Sequence, residues 1–239
     1  MNNISGITER FGSYDGFVLE LHLHTSSASA CATLSPEDAV LMYKKAGYDG
    51  IVVTDHFLTG NTSVDKTLPW ETQVDKFFEG YDRAYKKGQE VGFRVFEGLE
   101  YSYFGNDFIL LGLSRDFIKA HPEMTKMTPN EFLPFFHDAG AFIIQAHPFR
   151  DEYYVREVRV YSDLVDALEV VNLGNHDESF DRLAYEEAKK KGKTMTAGSD
   201  CHKFGDKYFG AGIILPHEPS DINEICNIIR SGNYEYFGG

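Results

Sequence analysis

Phe17-Val18-Leu19-Glu20-Leu21-His22-Leu23-His24-Thr25 is the stretch on which the reading of this chain turns. It is an apolar, strand-like run that ends in two histidines spaced two apart. Side chains alternate faces along a strand, so His22 and His24 point the same way and both imidazoles can reach one ion. A lone His-x-His is weak evidence, since two histidines at a strand end can simply hydrogen-bond their neighbours. Ser199-Asp200-Cys201-His202 supplies a second same-face pair, a hard carboxylate and a borderline imidazole, after a late strand. Thr54-Asp55-His56 and Gln145-Ala146-His147-Pro148 add histidines at two more strand exits, and Glu100 and Asp107 flank another strand with carboxylates.

Working outward, Ser35-Pro36-Glu37-Asp38 opens a helix with an N-cap, an early proline and acids at the positive dipole end, and Gly47 closes it. Short apolar strands are expected at 51–54, 93–97, 108–113, 141–146, 167–171, 194–197 and 212–215. Helices are expected from about Trp70 to Glu90, from Thr128-Pro129, over Glu178 to Lys191 before Gly192, and from Ser220. Alternating strands and helices imply a parallel α/β architecture, and the absence of linkers or repeats implies one domain over 1–239. His22/His24, Asp55/His56, Glu100, His147, Asn172 and Asp200/His202 all fall at or just past the C-terminal ends of expected strands. Residues so distant in sequence meet if the fold is a TIM-like barrel, whose active face is built there. An open doubly wound sheet would instead gather its site at one switch point, usually with a Gly-rich phosphate loop that this sequence lacks.

The chain has 239 residues, 42% of them hydrophobic, enough for a substantial core. Its 37 acidic and 23 basic residues leave a net charge of −14, which argues against extended nucleic acid as a partner. Met1 to Thr8 carry neither a basic segment nor an apolar run, and no stretch reaches the roughly 20 apolar residues of a membrane span. Cys31, Cys201 and Cys226 form no disulfide framework and no Cys-x-x-Cys pair. A soluble protein of the reducing cytoplasm is expected, with no membrane partner; oligomeric state is not legible.

In order, His22-Leu23-His24-Thr25, Thr54-Asp55-His56, Gly98-Leu99-Glu100, His147-Pro148 and Ser199-Asp200-Cys201-His202 resemble the motifs of the PHP (polymerase and histidinol phosphatase) domain family. The resemblance spans residues 22 to 202. It implies a single-domain distorted (β/α)7 barrel holding two or three divalent ions (Zn, Mn, Fe or Mg) and hydrolysing phosphate esters. By that resemblance His22, His24, Glu100 and Asp200 hold a first ion, Glu100 bridges to a second that His147 also holds, and His56 and His202 face a third. Two positions depart from the pattern. Asp107 stands where relatives often carry histidine, a change that favours harder ions such as Mn²⁺ or Mg²⁺. Ser27-Ala28-Ser29-Ala30-Cys31 stands where they carry the third ion's Asp or His, which leaves that ion to His56, His202 and water or substrate phosphate, or leaves its place vacant until substrate binds.

The implied reaction is attack by a hydroxide bridging two ions on a small phosphate monoester, histidinol-phosphate-like or nucleotide-like, with His202, His56 or metal-bound water protonating the leaving alkoxide. His56, His202, Glu100 and Asp200 are therefore the catalytic candidates. Arg150 is either a bidentate phosphate clamp or a surface arginine, and His176 either lines the substrate pocket or is a loop histidine. Asp55 is read as an acceptor that orients a neighbour, Cys201 as packing, and His121, His137 and His217 as structural or exposed. Tyr101-Ser102-Tyr103-Phe104 offers a stacking surface but is read as packing. The competing functions are a nuclease or protein-tyrosine phosphatase of the same family, a non-catalytic metal-binding module, and an amidohydrolase-like C–N hydrolase. Glu100 in the bridging place, rather than a lysine, speaks by resemblance against the last.

Overall fold

The computed structural model describes residues 15–205 and 209–238. Met1 to Thr8, with their expected lack of a targeting segment, lie outside these. Among the described residues the strands are β1 (Phe17–Leu23), β2 (Gly50–Val53), β3 (Arg94–Tyr103), β4 (Asn106–Leu111), β5 (Phe142–Ala146), β6 (Ala167–Asn172), β7 (Thr194–Gly198), β8 (Gly212–Leu215) and β9 (Glu235–Phe237). The helices are α1 (Pro36–Lys45), α2 (Trp70–Val91), α3 (Arg115–Ala120), α4 (Pro129–Asp138), α5 (Glu178–Lys191) and α6 (Ile222–Ser231). The caps follow the sequence: the Ser35 hydroxyl accepts from the Asp38 amide, Thr128 and Glu131 form a capping box, and Gly192 ends α5 in a left-handed turn.

The strands form one sheet in the order β7-β6-β5-β4-β3-β2-β1-β8-β9, and it curls into a nearly closed barrel. Beyond β7 the chain bonds to the end of β1: the Asp200 amide donates to the His22 carbonyl and the His24 amide to the Cys201 carbonyl, both at 2.8 Å. The barrel is less uniformly parallel than expected. β4 runs antiparallel to β3 and β5, and β8 antiparallel to β1. The reason lies in Phe104-Gly105, a two-residue connection with φ of 51° and 86°, the geometry that folds neighbouring strands into a tight hairpin. Because β4 is reversed, its first residues lie at the same mouth as the last residues of the parallel strands. Asp107 thereby joins the others, within a strand rather than before one, and Glu100 likewise lies within β3.

Two bulges shape the mouth. β1 gains a residue against β2 between Glu20 and Leu23, and β6 gains one against β7 between Glu169 and Val171. Leu19 and Leu21 pack in an apolar cluster with Val52, Ile109 and Ile144, closed by Ile225 and Ile229 of α6. The extra residue in β1 turns His22 and His24 toward the same interior, above that apolar plug. No helix among the described residues is long and apolar enough to cross a membrane.

Candidate metal centre

Glu100 sits fully buried at the middle of the mouth. Its Oε1 lies 3.2 Å from His22 Nε2 and 3.3 Å from His147 Nε2, and its Oε2 lies 2.5 Å from His56 Nδ1 and 3.7 Å from His24 Nε2. Asp200 Oδ1 lies 3.2 Å from His24 Nε2 and 3.5 Å from His22 Nε2, and Asp107 Oδ2 lies 3.8 Å from His147 Nε2. Four three-residue sets bring donor atoms within ion-holding reach: His22/His24/Glu100, His22/His147/Asp200, Glu100/Asp107/His147 and His24/His56/His202. All eight residues read as ligands are thus brought together.

Outer partners fix which nitrogen each ring presents. His22 Nδ1 donates to Glu169 Oε1 at 2.9 Å, and His202 Nδ1 to the Asp200 carbonyl at 2.8 Å. His24 Nδ1 donates to Ser29 Oγ at 3.1 Å, and that hydroxyl donates to Asp55 Oδ1 at 2.7 Å. A ring that donates through Nδ1 keeps an Nε2 lone pair for an ion. Asp55 plays the orienting part read from the sequence, also accepting from the Thr25 amide and hydroxyl.

The charge state of the centre follows from crowding. Burial pushes the Glu100 carboxyl up, but His56, His147 and His22 outweigh it and hold it well below its ordinary range. Burial likewise raises Asp200, and His22, Arg150 and His24 overcome it. His24, desolvated and beside His202 and His56, is driven well down and stays neutral. Buried Asp107, facing Glu100, is pushed up. Glu100 Oε2, His56 Nδ1 and Asp107 Oδ1 are buried without a hydrogen-bond partner. His56 and Glu100 approach closely without hydrogen-bond alignment, as ligands aimed at a common point do.

His147 and Asp200 also carry positive φ, 29° and 51°, at the exits of β5 and β7. Such backbone costs on the order of 1–3 kcal/mol for a non-glycine residue, and here it turns both side chains inward.

The centre opens to a cavity of about 640 Å³ whose wall includes Cys31, His56, Asp107, Arg150, Tyr154 and His202. Arg150 is no loose surface residue. Its guanidinium contacts Asp200 Oδ2 at 2.8 Å, Asn172 Oδ1 at 2.9 Å and Asn175 Oδ1 at 2.8 Å. His176 departs from its pocket-lining reading: it is exposed, 2.8 Å from Glu152, and absent from the cavity wall, because the loop after β6 turns it outward. Tyr101 is core, donating to the Met124 carbonyl, whereas Phe104 stands exposed on the cavity wall. Cys201 is buried in the core beside Leu23 and Tyr43.

Sequence reasoning missed Glu169, Glu20 and Cys31. Glu169 also accepts from the His147 amide and from the side chain of Asn172 at the end of its own strand, tying β6 to the exit of β5. The available signal was a carboxylate inside each of two apolar strands. Cys31 shares the cavity wall with His56 and His202, in the loop where the resemblance expects a third donor.

No protein-family model matches the chain, and no curated protein matches it by sequence. Solved structures do match its fold. A two-domain protein from Bacteroides vulgatus containing a predicted PHP-like metal-dependent phosphoesterase superposes with a TM-score of 0.68 at 15% identity, covering 94% of this chain and 65% of that one. This chain therefore spans less than two thirds of that protein's length. A protein from Bifidobacterium adolescentis, given a provisional assignment as a metal-dependent phosphoesterase, matches with a TM-score of 0.54 at 16% identity, covering 88% of this chain and 95% of that one. An amidohydrolase from Chromobacterium violaceum with bound sulfate also matches, with a TM-score of 0.54 at 14% identity over 79% of this chain and 89% of that one. The fold is one that PHP-like phosphoesterases share.

Proposed function

We propose that this chain is a metal-dependent phosphoesterase that hydrolyses phosphate monoesters of small molecules. The observation that carries this reading is the Glu100 carboxylate, buried with one oxygen facing His22 and His147 and the other facing His24 and His56. That is the arrangement of a carboxylate bridging two cations. His22, His24, Glu100 and Asp200 would hold a first divalent ion, and Glu100, Asp107 and His147 a second. The fit rests on the unpartnered buried atoms of Glu100, His56 and Asp107, each of which costs about 1–3 kcal/mol until something satisfies it. Divalent ions bound there supply Lewis acidity and activate water at neutral pH.

The chain's own residues supply the rest. Arg150, braced by Asn172, Asn175 and Asp200, offers a fixed positive charge on the cavity wall for a phosphoryl oxygen. His56 and His202 lie on the wall where they can stabilise the departing oxygen, by proton or by ion. Phe104, Tyr153 and Tyr154 give the rim apolar surface for the alcohol part of a compact ester. Glu100 in the bridging place favours phosphate esters over C–N bonds, and the net charge of −14 favours small substrates over polynucleotides. On this reading residues 1–239 form one catalytic domain around a distorted (β/α)7 barrel, working in the cytoplasm.

The test is metal analysis of the purified protein, followed by phosphate release from sugar, amino-alcohol, nucleotide and phosphotyrosine esters with Mn²⁺, Zn²⁺ or Mg²⁺. Release that disappears with a chelator and in Glu100→Gln supports the reading. Silence across the panel in fully metallated protein would overturn it in favour of a non-catalytic metal-binding module.

A further inference from the structure

The β3–β4 hairpin has two faces, and only one of them serves the metal centre. Ser102 and Asp107, paired across the hairpin, line the catalytic cavity. The next pair outward, Tyr103 and Asn106, points the other way and lines a second cavity of about 260 Å³. Phe104 at the hairpin tip stands on the wall of both cavities, and Arg156, Glu157 and Arg159 lie on the wall of the outer one. Arg159 pairs with Glu157 at 2.5 Å, whereas Arg156 forms no ion pair among the described residues.

The segment that carries these charges is fixed by buried side chains. The Asn106 amide group donates to the Glu157 carbonyl and accepts from the Arg159 amide, both at 2.9 Å. The Gln145 amide group donates to the Arg159 carbonyl and accepts from the Tyr161 amide, both at 2.7 Å. Two buried amide groups thus commit donor and acceptor alike to one surface segment. At the tip, the Arg156 amide donates to the Phe104 carbonyl at 3.1 Å, and its guanidinium lies 5.2 Å from the centre of the Phe104 ring. Gly105 permits this approach, since a Cβ there would lie 2.7 Å from Val155 Cα. The connection after β5 therefore presents Arg150 and Tyr154 to the catalytic cavity and, once past the hairpin tip, Arg156 and Arg159 to the outer one.

Resting on the phosphoesterase reading above, we infer that the outer cavity is a subsite for a carboxylate at the far end of the substrate's alcohol, held by Arg156 and Arg159. Two arginines against one glutamate leave this cavity a single net positive charge, which matches one carboxylate rather than a doubly charged phosphate. Phe104 is the ridge between the cavities, its ring 4.8 Å from that of Tyr103, and the apolar middle of the alcohol lies across it. Phe104 stands three residues from Asp107, roughly 10 Å at about 3.4 Å per strand residue. The substrate class is therefore a phosphate monoester of an extended hydroxy acid, with its phosphoryl group at the metal centre and its acid beyond the hairpin.

The experiment compares phosphate release by the metal-loaded full chain from para-phosphorylated phenylbutanoate, its primary amide, and the analogue with a phosphonate in place of the carboxylate. Wild type is expected to favour the carboxylate over the amide in kcat/KM by roughly 3- to 10-fold, the range of one partly exposed charge-assisted contact. Reading a ratio cancels any general loss of activity in a variant. In Arg156→Gln the ratio should fall toward one through a higher KM for the carboxylate, and Arg156→Lys should keep part of it. Glu157→Gln, which removes the opposing charge, should raise the ratio, a gain that loss of a merely structural contact would not produce. Equal use of carboxylate and amide by wild type, or a ratio indifferent to Arg156→Gln, would overturn this inference while sparing the phosphoesterase reading. Preference for the phosphonate would overturn the choice of a singly charged group. Metal-loaded protein that releases phosphate from none of the three would overturn both readings.

Discussion

Glu169 touches His22, the His147 amide and Asn172 but does not line the cavity. It is a positioning residue, and Glu169→Gln is expected to lower metal affinity roughly 10- to 100-fold by releasing the His22 ring. Isothermal titration with Zn²⁺ or Mn²⁺ checks this, and unchanged affinity would show that the ring needs no such hold. Glu20 makes a prediction in pH. Burial outweighs its bonds from the His22 and Ser199 amides and pushes it from an ordinary 4.5 up to about 7. Between those values the folded protein holds a proton that the unfolded chain has lost. The stability contribution is fully present below about pH 4.5, falls as pH rises, and is gone past about 7, a change on the order of 3 kcal/mol. Denaturant unfolding of the metal-free protein from pH 5 to 8 should therefore decline more steeply for wild type than for Glu20→Gln, and equal slopes would refute it. At this scale the His and Asp members of the centre were legible because they recur at strand exits in a known order. Glu20 and Glu169 were not, because a carboxylate inside an apolar strand has no spacing partner to announce it.

The elements explain why side-chain alternation alone was an incomplete guide. It assigns His22 and His24 to one face correctly, yet only the bulge after Glu20 puts that face on the same interior as Leu21. The bulge in β6 does the same for Glu169 and Asn172, three apart and still in contact at 2.7 Å. An inserted residue leaves no mark in composition, so neither bulge could be read in advance. The Phe104-Gly105 hairpin was equally hidden, since a phenylalanine at positive φ is an unusual turn residue. β7 must also approach β1 closely: a Cβ on Gly198 would lie 2.5 Å from His22 Cβ and 2.7 Å from Glu169 Oε1. Gly198→Ala is expected to lower the melting temperature and weaken metal binding together, because neither neighbour can yield without moving a ligand. A variant with wild-type melting and affinity would mean that β1 and β7 tolerate separation.

For the whole molecule, polar residues at the C-terminal ends of the expected strands pointed to a barrel, and the nearly closed sheet agrees, while the reversed strands β4 and β8 were invisible to periodicity. Carboxylates and imidazoles from β1, β3, β4 and the exits of β2, β5 and β7 converge on one mouth, so ions there crosslink most of the barrel. Ions that bind only the folded state, at about 100 times their dissociation constant, add about 2.7 kcal/mol. For a chain of this length that corresponds to a rise in melting temperature of roughly 5–10 °C. Scanning calorimetry with and without chelator measures it, and no shift would mean that the ligands are not organised around cations. The most direct measurement is anomalous diffraction from crystals of the protein loaded with Zn²⁺ or Mn²⁺. The account predicts peaks on both sides of Glu100, one among His22, His24 and Asp200 and one beside Asp107 and His147. Loaded crystals with no peak within bonding distance of Glu100 would contradict it.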